Sequence, residues 1–265
     1  MMPRLVGYCL VLLSFFATAF AAPDEEVVTL QVAPDATLRY LQLTPDAPVA
    51  SLILFAGYDG FINVTERGFE GPSDNFLVRA RHLFFEQGFL VAVPDTPSDM
   101  RSLLGRRDGT RHLSDIQLLV ERLNQTTRAP VWVVGTSRGT ISAAHAAANP
   151  GAAGPAGLVL SASVTVRGNH NRGSVYDVKL KNIATPTLVL HHRDDECHVT
   201  PYHGAERLVG KLKAAPRVEL LTFTGGVASE SDTCGPLSAH GFFGIEQQVV
   251  EAISAWIKRT INAPM

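Results

Sequence analysis

The sequence has no basic block. Its 23 lysines and arginines are offset by 25 acidic residues, leaving a formal charge of −2. Nucleic acid is therefore not an expected partner, because phosphate recognition draws on clustered positive charge. There is no internal repeat, no low-complexity tract and no linker long enough to divide the chain. Past the N-terminus no segment is apolar enough to span a bilayer, so stable membrane insertion is not expected there. Cysteine is scarce, at three in 265 residues. The crowd formed by His191, His192, Asp194, Asp195, Cys197 and His198 lacks a familiar zinc-ligand spacing. Neither a metal nor another cofactor is expected.

What remains is a chain with 46% hydrophobic residues, enough for one large core. Its first residues read as a separate object. Arg4 supplies a positive region, Leu5 to Phe16 an apolar run, and Ala19-Phe20-Ala21 a small-residue cleavage site. The run is short for a membrane anchor and leads directly into Pro23-Asp24-Glu25-Glu26. The expectation is a signal peptide over residues 1–21 and a single domain over residues 22–265, secreted or periplasmic. Cys9 falls inside the apolar run without a lipoprotein-type context. Cleavage would leave Cys197 and Cys234, a candidate disulfide in an oxidising compartment, with two buried thiols as the alternative.

Two alternating runs, Val27 to Val32 and Thr37 to Leu43, predict an antiparallel hairpin. From residue 50 onward, apolar β-type runs alternate with helical periodicity. Strands are expected at 50–55, 90–93, 129–134, 157–161, 187–191 and 218–223. Helices are expected at 75–87, 110–124, 138–149, 204–212 and 244–260. This alternation implies a mostly parallel sheet with helices on both faces and right-handed crossovers. Sites in such sheets lie at the C-terminal ends of strands.

One motif falls at such an end. Gly135-Thr136-Ser137-Arg138-Gly139 joins the strand ending at Val134 to the Ala-rich helix. A turn that tight excludes side chains at its flanking positions and holds the serine in a strained conformation. It lifts the hydroxyl to the sheet edge, at a helix N-terminus whose N–H groups favour negative charge. A serine is a weak nucleophile unless a base, itself oriented by an acid, lies within hydrogen-bond reach.

Strand, Gly-x-Ser-x-Gly and helix together resemble the nucleophile elbow of the α/β-hydrolase superfamily. The resemblance covers essentially residues 22–265 and is nearest to compact, exported esterase-like or dienelactone-hydrolase-like members. It implies an α/β-hydrolase fold with a mostly parallel eight-stranded sheet. The stretch between Ser161 and Pro186 is too short for a large cap. The family's chain order of serine, acid, histidine places the acid in the strand-end segment His191 to Cys197. Asp195 matches best, followed by Asp194 and then Glu196. His240, alone among histidines after the last strand, takes the place of the base. The oxyanion donors would be the Arg138 N–H and, from the loop Phe55 to Gly60, the Tyr58 N–H. If Asp195 and His240 meet, their loops bring Cys197 and Cys234 together.

The family also implies the chemistry: a serine hydrolase cleaving esters of small molecules or polymers through an acyl-enzyme, most plainly a carboxylesterase. Peptidase, thioesterase and lactonase activities would use the same groups. A non-catalytic binding protein on the same fold is the alternative of another class. A dienelactone hydrolase proper usually carries cysteine where Ser137 stands. The loops 94–108 and 164–176 are expected to line the cleft. Arg101, Arg106, Arg107, Arg167 and Arg172 are expected to be solvated. His82, His112, His145, His170 and His203 are expected at the surface or in satisfied packing.

Overall fold

Both faces of the central strands are buried, and the sequence shows why. In β3 (Ser51–Phe55) Leu52 and Leu54 pack on one side of the sheet while Ile53 and Phe55 pack on the other. In β7 (Val131–Thr136) Trp132 and Val134 divide from Val131 and Val133 in the same way. A strand sandwiched between two helical layers needs an apolar residue at every position, so it reads as a continuous run rather than an alternation.

The structure is a computed structural model that describes residues 25–71, 74–167 and 173–263. The expected leader, Cys9, His170 and Arg172 lie outside the described residues. The hairpin forms as β1 (Glu25–Ala33) and β2 (Ala36–Leu43). A two-residue pair, β4 (Val64–Thr65) and β5 (Gly68–Phe69), decorates the loop after β3. The remaining strands are β6 (Leu90–Pro94), β8 (Gly157–Ser161), β9 (Thr187–His192) and β10 (Val218–Phe223). They assemble into an eight-stranded sheet in the order β1-β2-β6-β3-β7-β8-β9-β10. In this sheet β2 pairs antiparallel with β1 and β6, and every other pairing is parallel.

One face carries α1 (Phe76–Arg79), α2 (Arg81–Glu86) and α6 (Glu246–Ile261), with Phe76, Phe84 and Trp256 fully buried. Trp256 meets Trp132 edge-on, with ring centroids 5.8 Å apart, and its Nε1 donates to Glu219 at 2.7 Å. The other face carries α3 (Thr110–Thr127), α4 (Gly139–Ala148) and α5 (Tyr202–Val209), through Ile116, Ile141 and Leu208. Between β8 and β9 the described residues form only short 3-10 turns, at Val175–Asp177 and Leu180–Asn182, so no large cap sits over the sheet edge.

One helix departs from expectation. The run 75–87 is split at Ala80 into α1 and α2. Arg79 on one side of the break binds Glu246 and the Gly241 carbonyl, whereas Arg81 on the other binds Glu25 and the Val78 carbonyl. The two guanidinium groups reach different elements, a demand that hydrophobic periodicity does not register. Helix α5 also begins two residues before the expected Gly204, directly after Pro201, whose fixed φ suits a helix entrance.

Candidate active site

The turn at Ser137 is fixed by close backbone packing. A Cβ on Gly135 would lie 2.4 Å from the Gly139 carbonyl oxygen, and one on Gly139 would lie 2.1 Å from that of Phe55. Neither gap admits a carbon atom. Ser137 itself adopts φ +52°, a left-handed conformation that costs a non-glycine residue on the order of 1–3 kcal/mol. Its N–H donates to Ser161 O at 3.0 Å, and its carbonyl accepts from Thr140 Oγ1 at 2.6 Å. The side chain is left partly accessible, with Arg138 next to it at the start of the ten-residue α4.

The loop after β3 lies against this turn. A Cβ on Gly57 would come within 3.1 Å of Ser137 Cβ. Tyr58 follows at φ +51°, 75% exposed, on the rim of the same cavity.

The residues expected as acid and base, Asp195 and His240, meet beyond the C-terminal ends of β9 and β10. His240 Nδ1 lies 3.0 Å from Asp195 Oδ2, with both side chains buried. A carboxylate only accepts, so Nδ1 carries the proton and Nε2 is the free basic nitrogen. Asp195 accepts from two further donors, Thr200 Oγ1 at 2.9 Å and the Cys197 N–H at 2.9 Å, while His191 Nε2 shares its proton between the Thr200 carbonyl at 2.7 Å and this carboxylate at 3.2 Å. Burial pushes its carboxyl up, but the hydrogen bonds from His191 and His240 more than offset this and hold it well below the usual carboxylate range. Its neighbours Asp194 and Glu196 are exposed. The choice among three consecutive acids is thus made by which of them turns inward.

His240 sits in a 3-10 turn, Ala239–Gly241, whose start is capped by the Ser238 hydroxyl. The turn ends at Phe242 in the left-handed region. The Phe242 ring is fully buried and packs against Phe76 at 5.0 Å and Phe223 at 5.9 Å. A Cβ on Gly241 would strike the Pro236 carbonyl at 1.8 Å. Cys197 and Cys234 form a disulfide across 37 residues, joining the loop of Asp195 to the loop of His240. Cys197, His198 and Cys234 hold candidate ligand atoms within 4.8 Å of one another, as do Asp195, Cys197 and His240. The bridge leaves both sulfurs without the thiolate a metal would need.

Ser137, His240, Arg138 and Tyr58 line one cavity of about 810 Å³, whose wall also includes Phe61, Ile62, Phe76 and Val199. Asp59, Asp74 and Asp232 add carboxylates to it. Among the described residues no hydrogen bond closes between Ser137 Oγ and the imidazole; what they share is the cavity wall. Such contacts commonly tighten only once substrate is bound.

Two expectations need correction. Among the described residues, none of 94–108, 164–167 or 173–176 lies on this cavity wall. Leu103 and Arg107 instead fold inward beneath the loop after β3, and Val164 packs with Cys197 and Val199 in a small apolar cluster. Arg107 is not solvated: it is 3% exposed. Arg167 is exposed but paired with Asp177. His112 is buried and bonded to Ser142 at 2.9 Å, in keeping with satisfied packing. Thr200, His191 and Arg107 are the participants that the sequence reading missed. Thr200 is identifiable only once the path of the loop 193–201 is known, whereas His191 stands at the strand end four residues before Asp195 and only its contact with that carboxylate is new. Arg107 lies in a Gly-Arg-Arg-Asp-Gly stretch that has the composition of an exposed turn.

Neither a protein-family model nor a curated protein sequence matches the chain. Solved structures do. A Pyrococcus furiosus esterase superposes with a TM-score of 0.63 at 12% identity, covering 89% of this chain and 91% of that one. A dienelactone hydrolase from Anabaena variabilis gives 0.62 at 15% identity, over 89% and 98%. A predicted CIB-like hydrolase from Thermoplasma acidophilum gives 0.62 at 14%, over 89% and 99%. The fold is that of the α/β-hydrolases.

Proposed function

We propose that this chain is an exported serine hydrolase that cleaves carboxylic esters. The single observation that carries the reading is the buried Asp195–His240 pair at the wall of the cavity into which the strained Ser137 turn opens. In this reading His240 Nε2 takes the Ser137 proton as Oγ attacks the acyl carbon. The negative charge on the carbonyl oxygen is met by the N–H groups of Arg138 and Tyr58. The tetrahedral species collapses, the C–O bond to the alcohol breaks, and the leaving oxygen takes the proton from His240. Water, deprotonated by the same nitrogen, then releases the acid and restores Ser137. Asp195 keeps the proton on Nδ1 throughout and stabilises the imidazolium.

A small or medium ester fits the site: the cavity lies within the roughly 300–1,000 Å³ range of small-molecule sites. Its wall combines an apolar side, with Phe61, Ile62, Phe76 and Val199, and a polar side that includes the carboxylates of Asp59, Asp74 and Asp232. The disulfide is compatible with an oxidising compartment, and among the described residues no helix is long and apolar enough to cross a membrane. The test is turnover of p-nitrophenyl esters of graded acyl length beside peptide and thioester substrates, with wild type and Ser137→Ala. The reading expects ester turnover in the wild type and loss of at least about 10⁴-fold in the variant, with an unchanged circular dichroism spectrum. Equal turnover by both proteins would contradict it.

A further inference from the structure

Arg107 has no place in the mechanism above, yet it is buried beside it. Its Nη2 donates to the carbonyl oxygens of Ala56, Gly57 and Tyr58 at 2.9, 3.2 and 3.3 Å. Its Nη1 donates to Ser142 Oγ at 3.0 Å. Ser142 lies in α4, the helix that starts at the serine turn, and also shares a hydrogen bond with His112. A cation away from water is expensive unless it is well satisfied. Here the satisfying groups are three consecutive carbonyls and the Ser142 hydroxyl rather than a carboxylate, and Nε is left without a hydrogen-bond partner among the described residues. Room has been made for the guanidinium at Gly60 as well: at φ +86°, a Cβ there would lie 3.0 Å from Arg107 Nη2.

In a trans peptide the C=O and the following N–H point in opposite directions. A carbonyl drawn onto Arg107 therefore turns the next N–H the other way. The Gly57 carbonyl, which also accepts from Gly60 N at 3.1 Å, fixes the direction of the Tyr58 N–H. The Ala56 carbonyl does the same for the Gly57 N–H. Arg107 is buried and is not on the wall of the cavity with Ser137, whereas residues 56–59 of the loop are.

We infer that Arg107 is a positioning residue for the oxyanion loop: it gathers the carbonyls of residues 56–58 beneath the loop and thereby aims the intervening N–H groups at the reacting oxygen. The inference rests on the reading of Ser137 as nucleophile. Burial, with the neighbouring charge of Arg138, pulls the Arg107 pKa down to about 9, which leaves it cationic at neutral pH. Next to it, burial and the Arg107 charge push His112 down to about 3, so the imidazole is neutral and adds no second charge.

A positioning role of this kind acts where charge develops, so its removal lowers kcat and leaves KM largely in place. The experiment begins with fluorophosphonate labelling of the full-length wild type. An unlabelled Ser137 defeats the serine-hydrolase reading and takes this inference with it. With Ser137 labelled, kcat and KM are measured on p-nitrophenyl butyrate for Arg107→Met, Arg107→Lys and Ser142→Ala. Loss of an aligned donor is worth about 10²–10³ in kcat, so Arg107→Met is expected to fall about 100-fold. Arg107→Lys keeps the charge but not the fork and should fall about 10-fold, and Ser142→Ala about 3-fold. KM should stay within about 3-fold in each. Should Arg107→Met fail to fold, the other two variants decide. A kcat within 2-fold of wild type in folded Arg107→Lys and Ser142→Ala, or a loss confined to KM, would overturn the inference.

Discussion

The serine turn and the acid–base corner lie on the same sheet edge but are held by different means. Around Ser137 the constraint is backbone against backbone: Gly135 and Gly139 pack so tightly that their missing side chains define the geometry. Around Asp195 the constraint is side chain to side chain, through Thr200, His191 and His240, with a disulfide tying the two loops. The first device is written in five consecutive residues. The second draws on residues up to 45 apart in sequence. A local device tolerates almost no substitution, whereas in a distributed one the cost depends on which member is lost.

The largest expected effect separates the acids. Asp195→Asn should reduce kcat/KM by about 10⁴-fold, because the amide favours the wrong imidazole tautomer. Asp194→Asn should stay within about 2-fold of wild type. Steady-state kinetics on one p-nitrophenyl ester checks both, and similar losses would erase the distinction drawn between these neighbours.

Gly139→Ala should cost on the order of 4 kcal/mol or prevent folding, since its Cβ would lie 2.1 Å from the Phe55 carbonyl, a backbone atom that cannot swing aside. Urea denaturation followed by circular dichroism measures this. The paired change Cys197→Ser with Cys234→Ser opens a loop of 37 residues, for which chain entropy predicts a loss of about 4 kcal/mol. Its kcat should fall less than that of Asp195→Asn, because the Asp195–His240 hydrogen bond can still form. Thr200→Val removes one of the donors to Asp195 and should lower stability by about 1 kcal/mol and kcat by less than 10-fold.

Acid should expose the two regions in separate windows. His112, held neutral with its pKa lowered to about 3, takes up a proton more readily when unfolded. Its contribution to stability is complete above the ordinary histidine value of about 6.5 and declines as pH falls from there toward 3. Asp195 has a depressed folded pKa, so its contribution is complete above the ordinary carboxylate value of about 3.9 and is lost only as pH falls below it. Melting temperatures from pH 8 to pH 3 should therefore decline less steeply between 6.5 and 4 in His112→Gln than in the wild type. Asp195→Asn should leave that interval unchanged and flatten only the lower one.

How much could be read from the sequence follows the same division. The strands and helices from residue 50 onward obey hydrophobic period and were legible almost throughout. Ser137 was legible because its turn is local, and His240 because no other histidine follows the last strand. Asp195 was one of three adjacent acids, and only the fold turns it inward while its neighbours stay exposed. Thr200 was invisible because no spacing rule connects a loop hydroxyl to a carboxylate five residues before it. Arg107 was misread because composition reports an average environment, and a buried cation held by carbonyls lies far from that average. The split of the helix at Ala80 belongs to the same class: Arg79 and Arg81 answer to partners far away in the chain.

The central claim is that the serine of the glycine-packed turn and the imidazole of the distributed corner work as one unit. The most direct measurement is reaction of the protein with a fluorophosphonate, with the adduct mapped by peptide mass spectrometry in wild type and in His240→Gln. The account predicts a single adduct on Ser137 in the wild type and labelling at least about 10³-fold slower in the variant. Equal rates in the two proteins, or an adduct on another residue, would contradict it.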